Sequence, residues 1–290
     1  RSDLPSYADV WWLYKDSIEQ FQPKLASGMM LGNTPAPQGH YILDAFHQDR
    51  STESGISGLP VVTSGEFRPS TVAFFAGRAW YAGVNTSSFS NKVYFSQIVH
   101  TEKEFGKCYQ TNDPTSEHLF DLLPNDGGVI TILDCGTIIK LWSIQSNLIV
   151  FATNGVWAIS GNSGIGFTAN DFSVRKVSSI PSISPSSFVD LGGTPSWWNS
   201  DGIYVISGAD AVGQISITSL TERKVKTFFD DIPVENKVYV KGAFNSLTKV
   251  IQWVFKTTEE STLQSRYEYD TILCFNTLTQ AFYFWTFPQG

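Results

Sequence analysis

The chain has 290 residues, enough for one large or two ordinary domains with a substantial buried core. Hydrophobic residues make up 42% of it and aromatic residues 14%, whereas charged residues contribute only 16%, which excludes an intrinsically disordered chain. The formal net charge is −7, and no basic patch is visible. This argues against sequence-specific gripping of nucleic acid, because neutralising phosphates requires clustered Lys and Arg side chains.

Residues 1–65 differ from the rest and predict a connecting or platform segment, not an independent domain. Asp9–Phe21 has apolar side chains at roughly helical spacing, which predicts a short helix. His40–Phe46 is typical of a strand, and a polar linker, Ser51–Gly65, follows it. The sequence begins at Arg1 rather than Met, so we expect it to be a fragment or a processed piece.

Residues 66–290 predict a mainly β, propeller-like array of about four or more antiparallel blades with short helical insertions. Asn154-Gly155 and Asp201-Gly202 indicate tight hairpin turns, because both central residues of such turns need a positive φ. When the groups of strands are aligned by the turn between their first and second strands, these turns fall near residues 77, 145, 193 and 246. A spacing of roughly 50 to 70 residues is typical of four-stranded propeller blades.

The strands and helices of this region follow from alternation and turn signals. The predicted strands are Pro69–Phe75, Ala79–Val84, Lys92–Gln97, Val129–Leu133, Thr137–Ser143, Asn147–Ala152, Val156–Ser160, Ser196–Trp198, Ile203–Ser207, Gln214–Thr218, Val238–Phe244, Lys249–Phe255, Thr271–Phe275 and Ala281–Phe287. Three stretches predict short helices: Thr101–Phe105, Pro114–Leu123 and the amphipathic Leu220–Phe229. No stretch is long and apolar enough to predict a membrane span.

The histidine and cysteine positions do not predict a metal site. His40 and His47 flank Asp44 and Asp49, but in a strand residues 40 and 44 share one face while residue 47 lies on the other. The three cysteines lack the spacing of zinc ligands and are too few and scattered for a disulfide framework, so we expect free thiols in a reducing cytoplasm: Cys108, Cys135 and Cys274.

No arrangement of residues predicts catalysis or a cofactor site, and we expect a non-enzymatic protein. Gly161–Gly166 is glycine-rich but lacks the Lys-Ser/Thr that follows a phosphate loop. Trp197-Trp198 favours blade packing or subunit contact over the stacking of sugars or bases. Carboxylate pairs for glycoside hydrolysis can be drawn from a turn-rich segment, where local capping is the stronger interpretation: Asp113, Glu117, Asp121 and Asp126.

Five stretches of the chain carry a resemblance to a known family. They are Arg68–Gly83 (RPSTVAFFAGRAWYAG), Lys92–Gln97 (KVYFSQ), Phe151–Gly161 (FATNGVWAISG), Gly166–Val177 (GFTANDFSVRKV) and Pro195–Tyr204 (PSWWNSDGIY). Together they resemble the tail nozzle proteins of short-tailed bacteriophages, also called tail tubular protein B or packaged-DNA stabilisation proteins. The resemblance covers residues 65–210 well and the remainder loosely.

The resemblance implies a virion structural protein of the phage tail, assembled in the host cytoplasm as a homo-oligomeric ring, usually of six subunits. Such a ring lies below the portal and adaptor, extends the channel, and retains the packaged double-stranded DNA until ejection. Tail fibres or spikes dock nearby. The acidic balance suits a conduit, because each phosphate contact made by Lys or Arg would hold the passing duplex. The alternative is a carbohydrate-binding or glycan-degrading β-propeller.

Overall fold

The computed structural model describes residues 69–87, 89–101, 104–108, 110, 122–162, 166–209, 215–258 and 268–287. Within these ranges the fold is mainly β, with sixteen strands in four four-stranded antiparallel sheets and short helices between them. Four predicted features lie outside the described residues: the segment 1–65 with its helix Asp9–Phe21 and strand His40–Phe46, and the helical part of Pro114–Leu123 before residue 122.

The four sheets follow one another along the chain. The first contains β1 (Thr71–Phe75), β2 (Arg78–Ala82), β3 (Lys92–Phe95) and β4 (Gly128–Thr131), and the second β5 (Ile138–Ile144), β6 (Asn147–Ala152), β7 (Gly155–Gly161) and β8 (Phe172–Ser178). The third contains β9 (Val189–Asp190), β10 (Pro195–Trp198), β11 (Ile203–Ala209) and β12 (Ile215–Ser219), and the fourth β13 (Lys241–Asn245), β14 (Val250–Phe255), β15 (Thr271–Asn276) and β16 (Ala281–Thr286). In each sheet, neighbouring strands follow chain order, which is the topology of a propeller blade and confirms the predicted fold class.

The turn between the first and second strands of each blade lies where the sequence spacing predicted it. These turns occupy residues 76–77, 145–146, 191–194 and 246–249. Each contains left-handed backbone: φ is 51° at Ala76, 70° at Gly77, 50° at Gln145, 103° at Gly193 and 58° at Lys249. A positive φ recurs at this position because a tight antiparallel reversal must match the right-handed twist of the flanking strands.

The predicted helix Leu220–Phe229 is wrong in its first half. Residues 221–225 form turns, and the helix α1 spans only Lys226–Asp230, followed by α2 (Val234–Lys237). The cause is Thr221, which is buried and whose Oγ1 accepts a hydrogen bond from the backbone N–H of Ile203 at 3.2 Å. This bond ties the segment to the edge of β11 and prevents an earlier helical start.

The sequence patterns also misplaced the start of one strand and missed two others, β8 and β9. The strand predicted to start at Val238 begins at Lys241, because α2 occupies the preceding residues. At the described residues of Thr101–Phe105, Glu104 lies in a short 3-10 turn, and its carboxylate accepts from the backbone N–H of Thr101 at 2.5 Å. The strand β8 was not predicted, because its residues are exposed or half-buried on both faces and show no apolar alternation.

The chain divides into two compact units, one of Arg1–Val150 with Ala158–Arg175 and the other of Phe151–Trp157 with Lys176–Gly290. In the first unit, Trp80 is fully buried and lies 5.0 Å from the ring of Phe95 and 4.7 Å from that of Phe167. Its Nε1 donates to the carbonyl of Phe75 at 2.9 Å, which satisfies the polar atom that burial removes from water.

The second unit has a corresponding aromatic core. Trp198 is fully buried and lies 4.8 Å from the ring of Phe229, 5.4 Å from Phe255 and 6.1 Å from Trp253. The glycine at position 242 is required by close packing, because a Cβ there would lie 2.7 Å from Trp253 Cδ1. The third and fourth blades thus share one core cluster.

The second strand of each blade is mostly buried, and in three of the four blades the fourth strand is not; β4 is the exception, with Gly128 and Ile130 buried. Every residue of β2, β6 and β10 is buried, and β14 is buried at four of its six positions. By contrast, the fourth strands β8, β12 and β16 have no buried residue. The second strand is therefore covered on both faces, which explains why apolar residues outnumber polar ones in β2, β6 and β14 and why β10 ends in two tryptophans.

We expect Trp198→Ala to lower the free energy of unfolding by about 3–5 kcal/mol, because it leaves a cavity in the shared core of the third and fourth blades. The matched control is Trp285→Ala, which removes a side chain that is 53% exposed and should cost less than about 1 kcal/mol. Urea unfolding followed by circular dichroism measures both. Equal losses for the two variants would contradict the assigned core.

The three cysteines are buried and form no disulfide. Burial raises the pKa of the Cys108 thiol well above its ordinary value and also raises that of Cys274. We therefore expect a soluble thiol reagent to label none of the three in the folded protein at neutral pH, and all three in denaturant. Rapid labelling under native conditions would contradict this packing.

Candidate assembly surface

The outermost strand of the fourth sheet, β16, exposes a set of large aromatic side chains. Tyr283 is 39% exposed, Phe284 57%, Trp285 53%, and Phe287, which follows the strand, 48%. We call these four residues the aromatic edge. β16 pairs along its whole length with β15, and within the described residues no strand pairs with its other edge.

The side chains of β16 alternate between two faces, and both faces are apolar. Tyr283 and Trp285 lie on one face with ring centroids 6.3 Å apart. On the other face, Phe284 stacks on Phe228 of α1 at 5.3 Å, and Phe282 lies 4.6 Å from Phe275. The face with Phe282 and Phe284 thus packs partly against the core of its own unit, whereas Tyr283 and Trp285 form a pair on the opposite face.

No charged residue occurs between Thr271 and Gly290. Exposed edge strands usually carry Lys, other charges or Pro, which prevent them from pairing with another chain. The aromatic edge has no such protection within β16. An uncharged strand with exposed aromatic side chains is typical of a surface that another protein segment covers.

Arg78, at the start of β2, is a buried cation with a structural role in the first unit. It is 1% exposed, and its guanidinium donates to the carbonyls of Asp126 and Pro124, each at 2.5 Å. The rings of Phe95 and Phe167 lie 5.5 and 5.6 Å from its Cζ atom. Burial lowers the pKa of Arg78 to about 10, an effect that the nearby Asp126 opposes. Arg78 therefore fastens the 122–126 loop to the second strand of the blade.

Asp126 is the one of the four carboxylates considered for glycoside hydrolysis that lies within the described residues. It is 3% exposed, and its Oδ2 accepts from the backbone N–H of Leu123 at 2.9 Å. This bond closes the turn Leu123–Asp126 and gives the carboxylate a local structural role. Asp113, Glu117 and Asp121 lie outside the described residues.

The positions considered for a metal, His40, His47, Asp44 and Asp49, also lie outside the described residues. In the part of the chain that the structure covers, no group of three or more His, Cys, Asp or Glu side chains converges on a point. No helix among the described residues combines the length and apolarity needed to cross a bilayer.

At the two ends of the glycine-rich stretch Gly161–Gly166, the backbone of residue 161 lies very close to the backbone of residue 166. A Cβ at Gly161 would lie 1.9 Å from the carbonyl carbon of Gly166, and Asn162 forms an isolated bridge with Gly166. Glycine at position 161 is therefore required by packing between backbones. The close packing explains the glycine at position 161 without a bound phosphate.

The paired tryptophans of β10 are core residues, as the blade-packing interpretation expected. Trp197 and Trp198 are both fully buried, and Trp197 lies 4.8 Å from the ring of Phe151. Neither presents a face on which a sugar or base could stack. The sequence reasoning missed the aromatic edge instead, although the absence of charge after Asp270 was a signal that could have identified it.

Comparisons with known proteins do not assign the chain to a family. No protein-family model matches it. No curated protein matches it either.

Solved structures give weak likenesses. A chain from the S. cerevisiae Dbp5 complex with Nup159, Gle1, IP6 and ADP is 12% identical with a TM-score of 0.39, covering 74% of this chain and 46% of that one. Kluyveromyces marxianus Hsv2 is 11% identical with a TM-score of 0.33, covering 77% and 61%. Cobalt-substituted Synechocystis ACO is 7% identical with a TM-score of 0.34, covering 72% and 46%. This chain thus matches less than two thirds of each of these proteins, and TM-scores this low carry no argument about function.

We expect Arg78→Lys to lower the free energy of unfolding by about 2–4 kcal/mol, because an ammonium keeps the buried charge but cannot reproduce the forked donation to the loop carbonyls. The control is Arg175→Lys, since Arg175 is only half-buried on β8, and we expect a change within about 0.5 kcal/mol. Denaturant unfolding measures both. A stability of Arg78→Lys equal to that of the unchanged protein would contradict the fastening role.

Proposed function

We propose that this blade protein is a non-enzymatic structural component of the tail of a short-tailed phage, a tail nozzle subunit that helps to form the DNA conduit. The stretches that resemble the nozzle family coincide with hairpins of the blades. Arg68–Gly83 includes the β1–β2 hairpin, Phe151–Gly161 includes the turn into β7, and Pro195–Tyr204 includes the β10–β11 turn. The resemblance therefore lies on residues that build the fold, as expected for a structural family.

The observation that carries the proposal is the aromatic edge. Its four side chains are each about half exposed, so a partner could bury about 400 Å² of further apolar surface. At about 25 cal/mol per Å², this corresponds to about 10 kcal/mol before the costs of association are subtracted. Because association costs about 4–15 kcal/mol, the aromatic edge would supply the apolar part of a larger interface of about 800 Å² per partner.

The charge of the chain supports the conduit part of the proposal. With a net charge of −7, the chain lacks the excess of Lys and Arg that would hold a passing duplex by its phosphates. In this proposal the subunits form a ring, six by resemblance, that contacts the portal and adaptor on one side and tail fibres or spikes on the other. Assembly takes place in the host cytoplasm, where free cysteines remain reduced.

A carbohydrate-binding or glycan-degrading propeller is the second candidate, and the blade fold is common to both. Glycoside hydrolysis needs two carboxyl groups about 5–9.5 Å apart across the scissile bond. The Asp126 carboxylate accepts from the backbone N–H of Leu123, while Arg78 bonds to the main-chain carbonyl of Asp126. The binding part of this candidate has a separate observation in its favour, a cavity in the second unit.

We expect the purified chain to form a discrete oligomer, or to assemble when portal and adaptor are added, and we expect the double variant Tyr283→Lys, Trp285→Lys to lose this assembly. Two buried ammonium groups would oppose any apolar contact at β16. Size-exclusion chromatography with light scattering measures the mass. The control is Leu247→Lys, which places one such charge at a blade turn where the side chain is 92% exposed.

Two outcomes would contradict the proposal. One is a chain that stays monomeric alone and with portal and adaptor. The other is cleavage of a glycan by that monomer, which would favour the degrading candidate. Equal loss of assembly in the Leu247→Lys control would show that the contact lies elsewhere than on β16.

A further inference from the structure

A cavity of about 710 Å³ lies within the second unit, between the β11–β12 hairpin and the end of β15. Its apolar part is formed by Leu191, Leu220 and Phe275. Its polar part consists of hydroxyl groups and of three charged side chains that follow β12: Glu222, Arg223 and Lys224. This volume and this mixture of apolar surface with a few polar groups are typical of small-molecule sites.

Three hydroxyl groups that line the cavity donate their protons to other groups of the protein. Thr218 Oγ1 donates to Ser207 Oγ at 3.1 Å, and Ser207 Oγ donates to the carbonyl of Ser216 at 3.2 Å. Thr277 Oγ1 donates to the carbonyl of Lys249 at 2.9 Å. Each hydroxyl oxygen keeps a lone pair that can accept. These three oxygens therefore suit a ligand that brings hydroxyl donors.

The charged residues of the cavity also determine which charged groups of a ligand it can bind. Lys224 is used by the protein, because its Nζ donates to the carbonyl of Gln280 at 2.5 Å and lies 5.5 Å from the ring centre of Phe275. Arg223 and Glu222 are exposed at the mouth. A guanidinium binds a carboxylate through two parallel hydrogen bonds, and a carboxylate accepts from hydroxyl groups.

We propose that this cavity binds an acidic hexose, a pyranose that carries a carboxylate, such as a uronic acid unit of a polysaccharide. The ring hydroxyls donate to Ser207, Thr218 and Glu222, the carboxylate pairs with Arg223, and the apolar face of the ring lies on Leu191 and Leu220. This site is independent of the aromatic edge and goes beyond the structural role proposed above. It gives the protein a means of contacting an acidic glycan.

Trigalacturonate is the probe, with maltotriose as a neutral sugar of equal length and inorganic phosphate as an anion without hydroxyl donors on a ring. Isothermal titration calorimetry on the whole chain measures binding. We expect trigalacturonate to bind at least about tenfold more tightly than maltotriose, the difference that one charge-assisted pair supplies. Phosphate should not compete with it.

Two variants test the assigned residues. Arg223→Gln removes the partner of the carboxylate and should weaken trigalacturonate about tenfold while leaving maltotriose unchanged. Thr218→Val removes an acceptor and should weaken both sugars. The control is Arg175→Gln in the first unit, which should bind both sugars like the unchanged protein, and circular dichroism verifies that all variants fold.

Three results would overturn the proposal: no binding of trigalacturonate to the unchanged protein, equal affinity of Arg223→Gln, or displacement of the sugar by phosphate. None of these results bears on oligomer formation through β16. Failure of the saccharide site and failure of the tail assignment are therefore distinguishable.

Discussion

Burial of the second strand on both of its faces is the constraint on which each blade depends. A four-stranded meander cannot cover its own faces, so each sheet needs neighbours that supply large side chains. In the second unit Trp198 and Trp253 meet this need from the second strands of adjacent blades, with ring centres 6.1 Å apart. Trp80 has the corresponding place in the first unit. The outer strands are left free to vary, and the features with functional interest lie on or beside them.

Much of the fold could be predicted from the sequence, because turn chemistry is local. The positions of the blade-opening turns were confirmed, and Gly77 and Gly193 have the positive φ that glycine favours. The conformation predicted for Asn154-Gly155 and Asp201-Gly202 was wrong, because Asn154, Asp201 and Gly202 do not have a positive φ. The helix after β12 could not be placed correctly, since its start depends on a bond between Thr221 and Ile203, which is a tertiary contact. β8 gave no signal because its side chains are not segregated between a buried and an exposed face.

The functional surfaces were less predictable than the fold. Composition counts aromatic residues but does not separate Trp197, which is fully buried, from Trp285, which is half exposed. That distinction depends on which strand of the blade carries the residue. The cavity beside β12 was also beyond prediction, because its lining comes from strands that are distant in sequence. The tail nozzle assignment stays a proposal that combines a resemblance of short stretches with the uncharged aromatic edge.

Electron cryomicroscopy of the virion tails to which the proposal assigns this chain tests the central claim most directly. The four blades should be found in copies arranged around the DNA channel, with Tyr283 and Trp285 covered by a neighbouring protein segment. Density in which β16 faces solvent in every copy, or tails that lack the blades altogether, would contradict the claim.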